Sequence, residues 1–420
     1  MTEAIVNKAG TKFWRSVGSV LSGMAIAQAI PLVGSLVLAR LYAPAEFGAF
    51  SAWLGLVSLA SVIVTGRLEV ALPIEEDGDP RKFAALATLV TVVLCSVLLG
   101  IIAAGAYLFA PTRLGPAPAL VAVFAPAALF AAAAQTWQSW AAAEGQYRYL
   151  SGMRIAQAAG VTCTQIVVGM TMPTSVALAC GHVFGLILGT CCAAYWMPLP
   201  LAPLRSLSGF AGNLRAFWSR NRRFPMLSLP ADSINTASAQ LPLLIITGKF
   251  GAEMGGLFAL TMRVLGAPIG LLGAAVLDVF KRSSASGYRE RGNCKGEYVR
   301  TFCVLAGCGA LLAVGVMLVS EPVFVLAFGE PWRKAGVIAV WLMPLFALRF
   351  VASPLSYVFY VAGKQHVDFV WQCALFLMTV AVFLLSAGFE TSVKGYAIGY
   401  GLLYLVYLAF SYRYSKGDTA

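Results

Sequence analysis

A chain of 420 residues with 59% hydrophobic and only 11% charged side chains cannot cover a soluble surface, which takes roughly 25% charge. A mean hydropathy of +0.79 places most of it in a membrane. The formal charge of +12 could serve nucleic acid, but the basic residues gather in alternate loops and never interleave with aromatics in a soluble segment, which argues against a nucleic-acid partner.

A span needs about 20 apolar residues, and about twelve such segments follow one another. They fall near 14–40, 47–73, 83–110, 118–143, 150–171 and 174–197, then near 223–248, 254–280, 298–328, 334–361, 367–388 and 391–412. Lys8, Lys12 and Arg15 precede the first as in a signal sequence, but its apolar run is too long for a signal core and reads as an uncleaved span. With both termini in the cytoplasm, most loop Lys and Arg fall inside. Only Arg40, Arg113, Lys249, Arg333, Lys334 and Lys394 fall outside.

The chain also repeats itself. Tyr42-Ala-Pro-Ala-Glu46-Phe-Gly48-Ala-Phe50 is echoed by Phe250-Gly-Ala-Glu253-Met-Gly-Gly256-Leu-Phe258, and Gln28/Pro31 ahead of the first by Gln240/Pro242 ahead of the second. The stretch from Pro126 to Gly145 aligns without gaps on that from Pro344 to Gly363, placing Gln135, Gln138 and Ser139 on Ser353, Ser356 and Tyr357. Two copies of six helices run parallel, because an even number of spans returns the chain to the same side, and such transporters hold cargo between the copies. The expected fold class is therefore an all-α integral membrane protein with about twelve transmembrane helices in two parallel six-helix lobes around a central cavity. The lobes are residues 1–197 and 223–420. A basic cytoplasmic linker, 198–222, joins them and carries Arg205, Arg215, Arg220 and Arg222 with no acid. It reads as an amphipathic connector on anionic membrane lipids, or as a dock for a lipid diphosphate.

Ionisable residues at membrane depth mark functional pathways by default. Arg67 and Glu69 close the second helix; spaced two apart, they point to different sides of a helix. They are either interfacial, or Arg67 holds an anionic group with Glu69 neutralising it. Arg263 and Arg349 lie deeper among apolar neighbours, and Arg349, Ser353, Ser356 and Tyr360 share one helical stripe. Guanidinium forks onto phosphate oxygens, so these arginines suit a diphosphate; otherwise they tie helices together. Asp232, Asn235, Thr236 and Gln240 form a polar face on the seventh helix, where Asp232 is an ion-coupling group or a counter-charge. Arg154, Gln157, Thr164 and Gln165 lie near one face of the fifth, suited to sugar hydroxyls or to interhelical bonds.

Other chemistry finds no support. The chain has no Gly-x-x-x-x-Gly-Lys-Ser/Thr and no His-Glu-x-x-His, and His182 and His366 stand apart. The nine cysteines sit mostly in apolar segments without metal spacing and read as small core residues. Asp77-Gly-Asp79 has the spacing of metal-dependent sugar transferases but reads as a solvated turn. No cofactor, metal or enzymatic activity is expected.

Leu38-Ala-Arg-Leu-Tyr-Ala-Pro-Ala-Glu-Phe-Gly-Ala-Phe50, Arg67-Leu-Glu69-Val-Ala-Leu-Pro73 and Glu144-Gly-Gln-Tyr-Arg148 followed by Arg154 resemble the Wzx-type polysaccharide and O-antigen repeat-unit flippases of the MOP superfamily, which are related to the MATE exporters. The resemblance implies a secondary transporter of the bacterial inner membrane. It would flip undecaprenyl-diphosphate-linked oligosaccharide from the cytoplasmic to the periplasmic leaflet by alternating access, for O-antigen, capsule or exopolysaccharide. Polysaccharide polymerase and chain-length machinery would be its partners. By that resemblance Arg67, Arg263 and Arg349 hold the diphosphate or acidic sugars, with Arg154, Gln28, Gln240, Ser353 and Ser356 completing the cavity. The chain lacks the fourteen-helix length of peptidoglycan-precursor flippases. Rival readings are a cation-coupled drug exporter of MATE type and, from another class, a polysaccharide polymerase or ligase, which the short outer loops disfavour.

Overall fold

The computed structural model describes residue 23 and residues 25–109, 118–199 and 207–417. Lys8, Lys12, Arg15, Arg113, Arg205 and the start of the first span lie outside them. The described residues contain helices and turns and no strand. The chain divides between Gln240 and Leu241 into two compact units. The first holds α1 (Ala25–Leu41), α2 (Pro44–Thr65), α3 (Asp79–Phe109), a short α4 (Pro118–Ala122), α5 (Phe124–Ala143), α6 (Tyr147–Gly169), α7 (Ser175–Trp196) and α8 (Leu207–Arg220). Helix α9 (Leu229–Phe250) begins in the first unit and ends in the second. There α10 (Ala252–Arg291), α11 (Lys295–Phe328), α12 (Arg333–Leu355), α13 (Val358–Val361), α14 (Gln365–Leu385) and α15 (Phe389–Ser415) follow.

Eight helical stretches among the described residues are long and apolar enough to cross a membrane: α2, α3, α4–α5, α7, α11, α12–α13, α14 and α15. This is a multi-pass membrane protein. The other four expected segments, α1, α6, α9 and α10, are helical where described; α1 is apolar but only its Ala25–Leu41 part is described, and Gln, Ser, Thr, Asn and Asp residues lower the hydropathy of α6 and α9. Several threonine hydroxyls inside the spans are satisfied within their own helix. Thr88, Thr91, Thr136 and Thr190 each donate to the carbonyl four residues back, at 2.8–3.0 Å.

Specific contacts fix the first unit. Tyr42 donates to the Gln165 carbonyl at 2.7 Å, and the Glu46 carboxylate accepts the Ser175 N–H at the positive end of α7. The motif around Tyr42 thus pins the α1–α2 corner onto α6 and α7. These two helices touch through backbone: a methyl added at Gly185 would lie 2.4 Å from the Val161 nitrogen.

The repeat reappears as geometry. Gly145 and Gly363 both take positive φ, 65° and 68°. Gly145 N–H reaches the Ala142 carbonyl at 3.2 Å and Gln146 N–H the Ala141 carbonyl at 2.8 Å. Gly363 and Lys364 bond Tyr360 and Phe359 in the same pattern at 3.2 and 2.7 Å. Both copies therefore end this helix with the same left-handed glycine cap.

Three segments depart from expectation. The second helix stops at Thr65 rather than running to residue 73, because Gly66 and Arg67 turn left-handed at φ 56° and 58°, and Leu68–Ala71 forms a separate 3-10 turn. Helix α10 continues to Arg291, carried by helix-favouring Lys and Arg and ended by Gly292 at φ 70°. The stretch 198–222 contains α8, whose Phe210, Leu214 and Phe217 are buried in the core with Leu68, Leu72, Trp140 and Met153. Its apolar face rests on protein, not on lipid.

Candidate functional site

Three candidate residues of the first unit, Arg67, Glu69 and Asp232, converge on the left-handed turn after α2. Arg67 donates to Glu69 Oε1 at 3.0 Å and places Nε 2.6 Å from Asp232 Oδ2 on α9. The pairing of Arg67 with Glu69 corrects the expectation that a spacing of two holds them apart. That rule belongs to a helix, and the chain has left the helix here. Arg67 has the one positive φ of a non-glycine among the described residues, and the two ion pairs hold it there. One guanidinium thus faces two carboxylates.

The Glu69 side chain is only 4% exposed, and its Oε2 has no hydrogen-bond partner. Burial pushes its carboxyl above the usual glutamate range. A backbone hydrogen bond, Arg67 and the Thr65 hydroxyl draw it back, while Asp232 adds to the rise. The native state therefore holds this proton more tightly than the unfolded chain. Stability is fully present below the unfolded value, about 4.3, and is lost as pH rises through the folded value. Glu69→Gln still accepts from Arg67, so it is expected to raise the unfolding midpoint at neutral pH and flatten the slope between acid and neutral pH. A thermal-unfolding series from pH 4 to 8 checks this; an unaltered slope assigns the titration elsewhere.

Elsewhere in the unit, Arg154 donates through Nε and a terminal nitrogen to Gln138 Oε1, at 3.2 and 2.9 Å. Gln135 donates to Ser61 at 3.0 Å, and Gln165 to the Leu178 carbonyl at 2.8 Å. For Gln165 the interhelical role holds. Gln240 packs its amide against α2, where a methyl added at Gly55 would come within 3.1 Å of Oε1. Gln28 is exposed on α1. His182 packs edge-on to Phe50 and Trp53.

In the second unit Arg349 and Ser353 are exposed on α12 and Ser356 is half-buried, while Leu345, Phe346, Phe350, Val351 and Leu355 around them are buried. Tyr360 of α13 extends the exposed stripe. Arg349 interacts electrostatically with the hydroxyls of Tyr396, Tyr400 and Tyr404 on α15. These rings pack in sequence, Tyr396 edge-on to Tyr400 at 5.3 Å and Tyr400 tilted against Tyr404 at 5.1 Å, and Trp371 packs on Tyr404 at 5.2 Å. Sequence reasoning missed this ladder, although its spacing of four residues was legible. Arg263 is half-buried in α10. Of the expected residues, Arg67, Glu69 and Asp232 are brought together; Arg154, Arg263 and Arg349 stand in separate surroundings.

A family model described as polysaccharide biosynthesis protein matches residues 37–337. The chain belongs to the polysaccharide biosynthesis family. Among curated proteins, the teichuronic acid biosynthesis protein TuaB of Bacillus subtilis (strain 168) is 22% identical over 183 residues, 44% of this chain and 36% of TuaB, so the match spans about a third of that relative. Among solved structures, the lipid II flippase MurJ in an inward closed conformation superposes with a TM-score of 0.71 at 13% identity, covering 94% of this chain and 87% of MurJ. An inward-facing multidrug resistance MATE family transporter of the MOP superfamily gives 0.69 at 13% identity, covering 92% and 93%. This family member therefore shares the fold of these two proteins. Its solved neighbours are a flippase and a drug transporter rather than enzymes, in line with the non-enzymatic expectation.

Proposed function

We propose that this protein flips undecaprenyl-diphosphate-linked oligosaccharide repeat units across the bacterial inner membrane by alternating access, supplying O-antigen, capsule or exopolysaccharide synthesis. Its termini lie in the cytoplasm. The observation that carries the reading is Arg349, a positive charge on an accessible stripe of a largely buried span. Such a charge suits an anionic cargo and opposes a cationic drug. Membership of a polysaccharide biosynthesis family and a flippase-like fold support it. In this reading Arg263 and Arg349 face the cargo, with Ser353 and Ser356 toward its sugars. Arg67, held by Glu69 and Asp232, belongs to a proton- or cation-linked counter-charge.

The test is the sidedness of lipid-linked sugar, by mass spectrometry and surface labelling, in a strain lacking the gene. Single repeat units stranded on the cytoplasmic leaflet, without surface polymer, are expected. Normal polymer overturns the reading in favour of drug export, and single units displayed outside overturn it in favour of a polymerase.

A further inference from the structure

Helix α8 ends in a basic cleft. Its apolar face is fixed: Phe210 packs at a tilt against Phe83 at 5.5 Å between ring centres, and Trp218 donates to the Thr91 hydroxyl at 2.9 Å. At its C-terminus Arg220 and Asn221 both donate to Glu75 Oε1, at 2.8 and 3.3 Å. The cleft beyond has a volume of about 690 Å³ and is lined by Ala216, Ser219, Arg220, Arg222 and Arg223. Arg222 and Arg223 are exposed and form no ion pair among the described residues, and the chain holds no acid between Glu144 and Asp232. Asp77, in the same loop as Glu75, is taken by Arg81.

Three guanidiniums against one carboxylate leave two positive charges, held on a helix docked to protein. Two negative charges on adjacent phosphates, the charge of a diphosphate diester, match them. Glu75 orients Arg220 and leaves its remaining N–H groups for an anion. Unlike a helix floating on lipid, this one cannot swivel to follow a diffuse anionic surface.

We propose that the α8 cleft binds the diphosphate of the lipid-linked saccharide, a site apart from Arg263 and Arg349. Arg220, Arg222 and Arg223 grip phosphate oxygens, and Ser219 donates from the preceding turn. On the face that the charge bias assigns to the cytoplasm, the cleft captures cargo before transport. The inference rests on the flippase reading for the identity of its ligand, not for the presence of an anion site.

The experiment uses the full chain in neutral phosphatidylcholine nanodiscs. Inorganic diphosphate is titrated by calorimetry into wild type, Arg222→Gln/Arg223→Gln and Arg215→Gln, the last removing an exposed charge of α8 outside the cleft. Adducts with undecaprenyl diphosphate or with phosphatidylglycerol at matched charge are then counted by native mass spectrometry. The double variant is expected to weaken diphosphate binding at least about tenfold and Arg215→Gln less than about twofold, since two charge-assisted contacts are lost only in the first. Undecaprenyl diphosphate adducts should fall while phosphatidylglycerol adducts persist. Equal weakening by both variants, or equal loss of both lipids, reduces the cleft to diffuse charge and overturns the proposal, as does unchanged binding. Unfolding midpoints equal to wild type confirm that the exposed substitutions leave the fold intact. If the cleft fails this test while repeat units are still stranded in the gene-less strain, the flippase reading stands alone. If diphosphate binds as expected while the gene-less strain makes normal polymer, the site stands and the cargo is another phosphate-bearing lipid.

Discussion

Arg349→Ala is expected to leave the protein in the membrane at normal level and cut translocation of lipid-linked saccharide on the order of 100-fold. The residue lies on the exposed stripe of α12 and supports no buried packing, so truncation costs the fold little. What is lost is a forked cation on the accessible stripe, one that acts electrostatically on Tyr396, Tyr400 and Tyr404. Charge-assisted contacts to an anion contribute about 1.5–3 kcal/mol each, and 1.4 kcal/mol is tenfold in affinity. Arg349→Lys should recover only part, because an ammonium keeps the charge and loses the fork. The measurement is outward movement of lipid-linked saccharide in reconstituted vesicles, beside the unfolding midpoint. Full translocation by the alanine variant with an unchanged midpoint would remove Arg349 from the cargo path.

Arg81→Ala should do the reverse and unfold the first unit. Arg81 is 8% exposed at the start of α3. Its Nε donates to the Leu72 carbonyl at 3.1 Å and a terminal nitrogen to the Glu75 carbonyl at 2.9 Å. The other reaches Glu144 Oε1 at 3.2 Å and the Ala143 carbonyl at 3.4 Å, and Asp77 closes the ring. One guanidinium thus ties the α2–α3 loop to the end of α5. Removing it leaves buried acceptors and the Glu144 carboxylate unanswered, a loss on the order of 3–5 kcal/mol. A marked fall in the midpoint in detergent, only partly restored by Arg81→Lys, is the expected reading. A midpoint within a degree of wild type would show that water replaces these bonds. The positive-inside pattern counts Arg81 as one loop charge among many; its structural role depends on acceptors in its own preceding loop and at the distant end of α5.

The same division runs through the molecule. The apolar segments were legible because transfer into a bilayer is close to a sum over residues, so windows of about 20 find the helices without knowing their neighbours. The stripe of Arg349, Ser353, Ser356 and Tyr360 was legible for a related reason: helical period alone puts them on one face, and the structure leaves that face accessible. The internal repeat, too, returns as matching glycine caps at Gly145 and Gly363. What sequence could not determine depends on departures from period and on partners far along the chain. Gly66 and Arg67 turn left-handed, which brings Arg67 onto Glu69 and Asp232. The amphipathic face of α8 would suit lipid or protein equally by composition. The core around Leu68 and Trp140 decides for protein, and in doing so holds three arginines around one cleft. Hydropathy marked the eight apolar helices that are long enough to cross a membrane, while backbone turns and packing decided which charges meet.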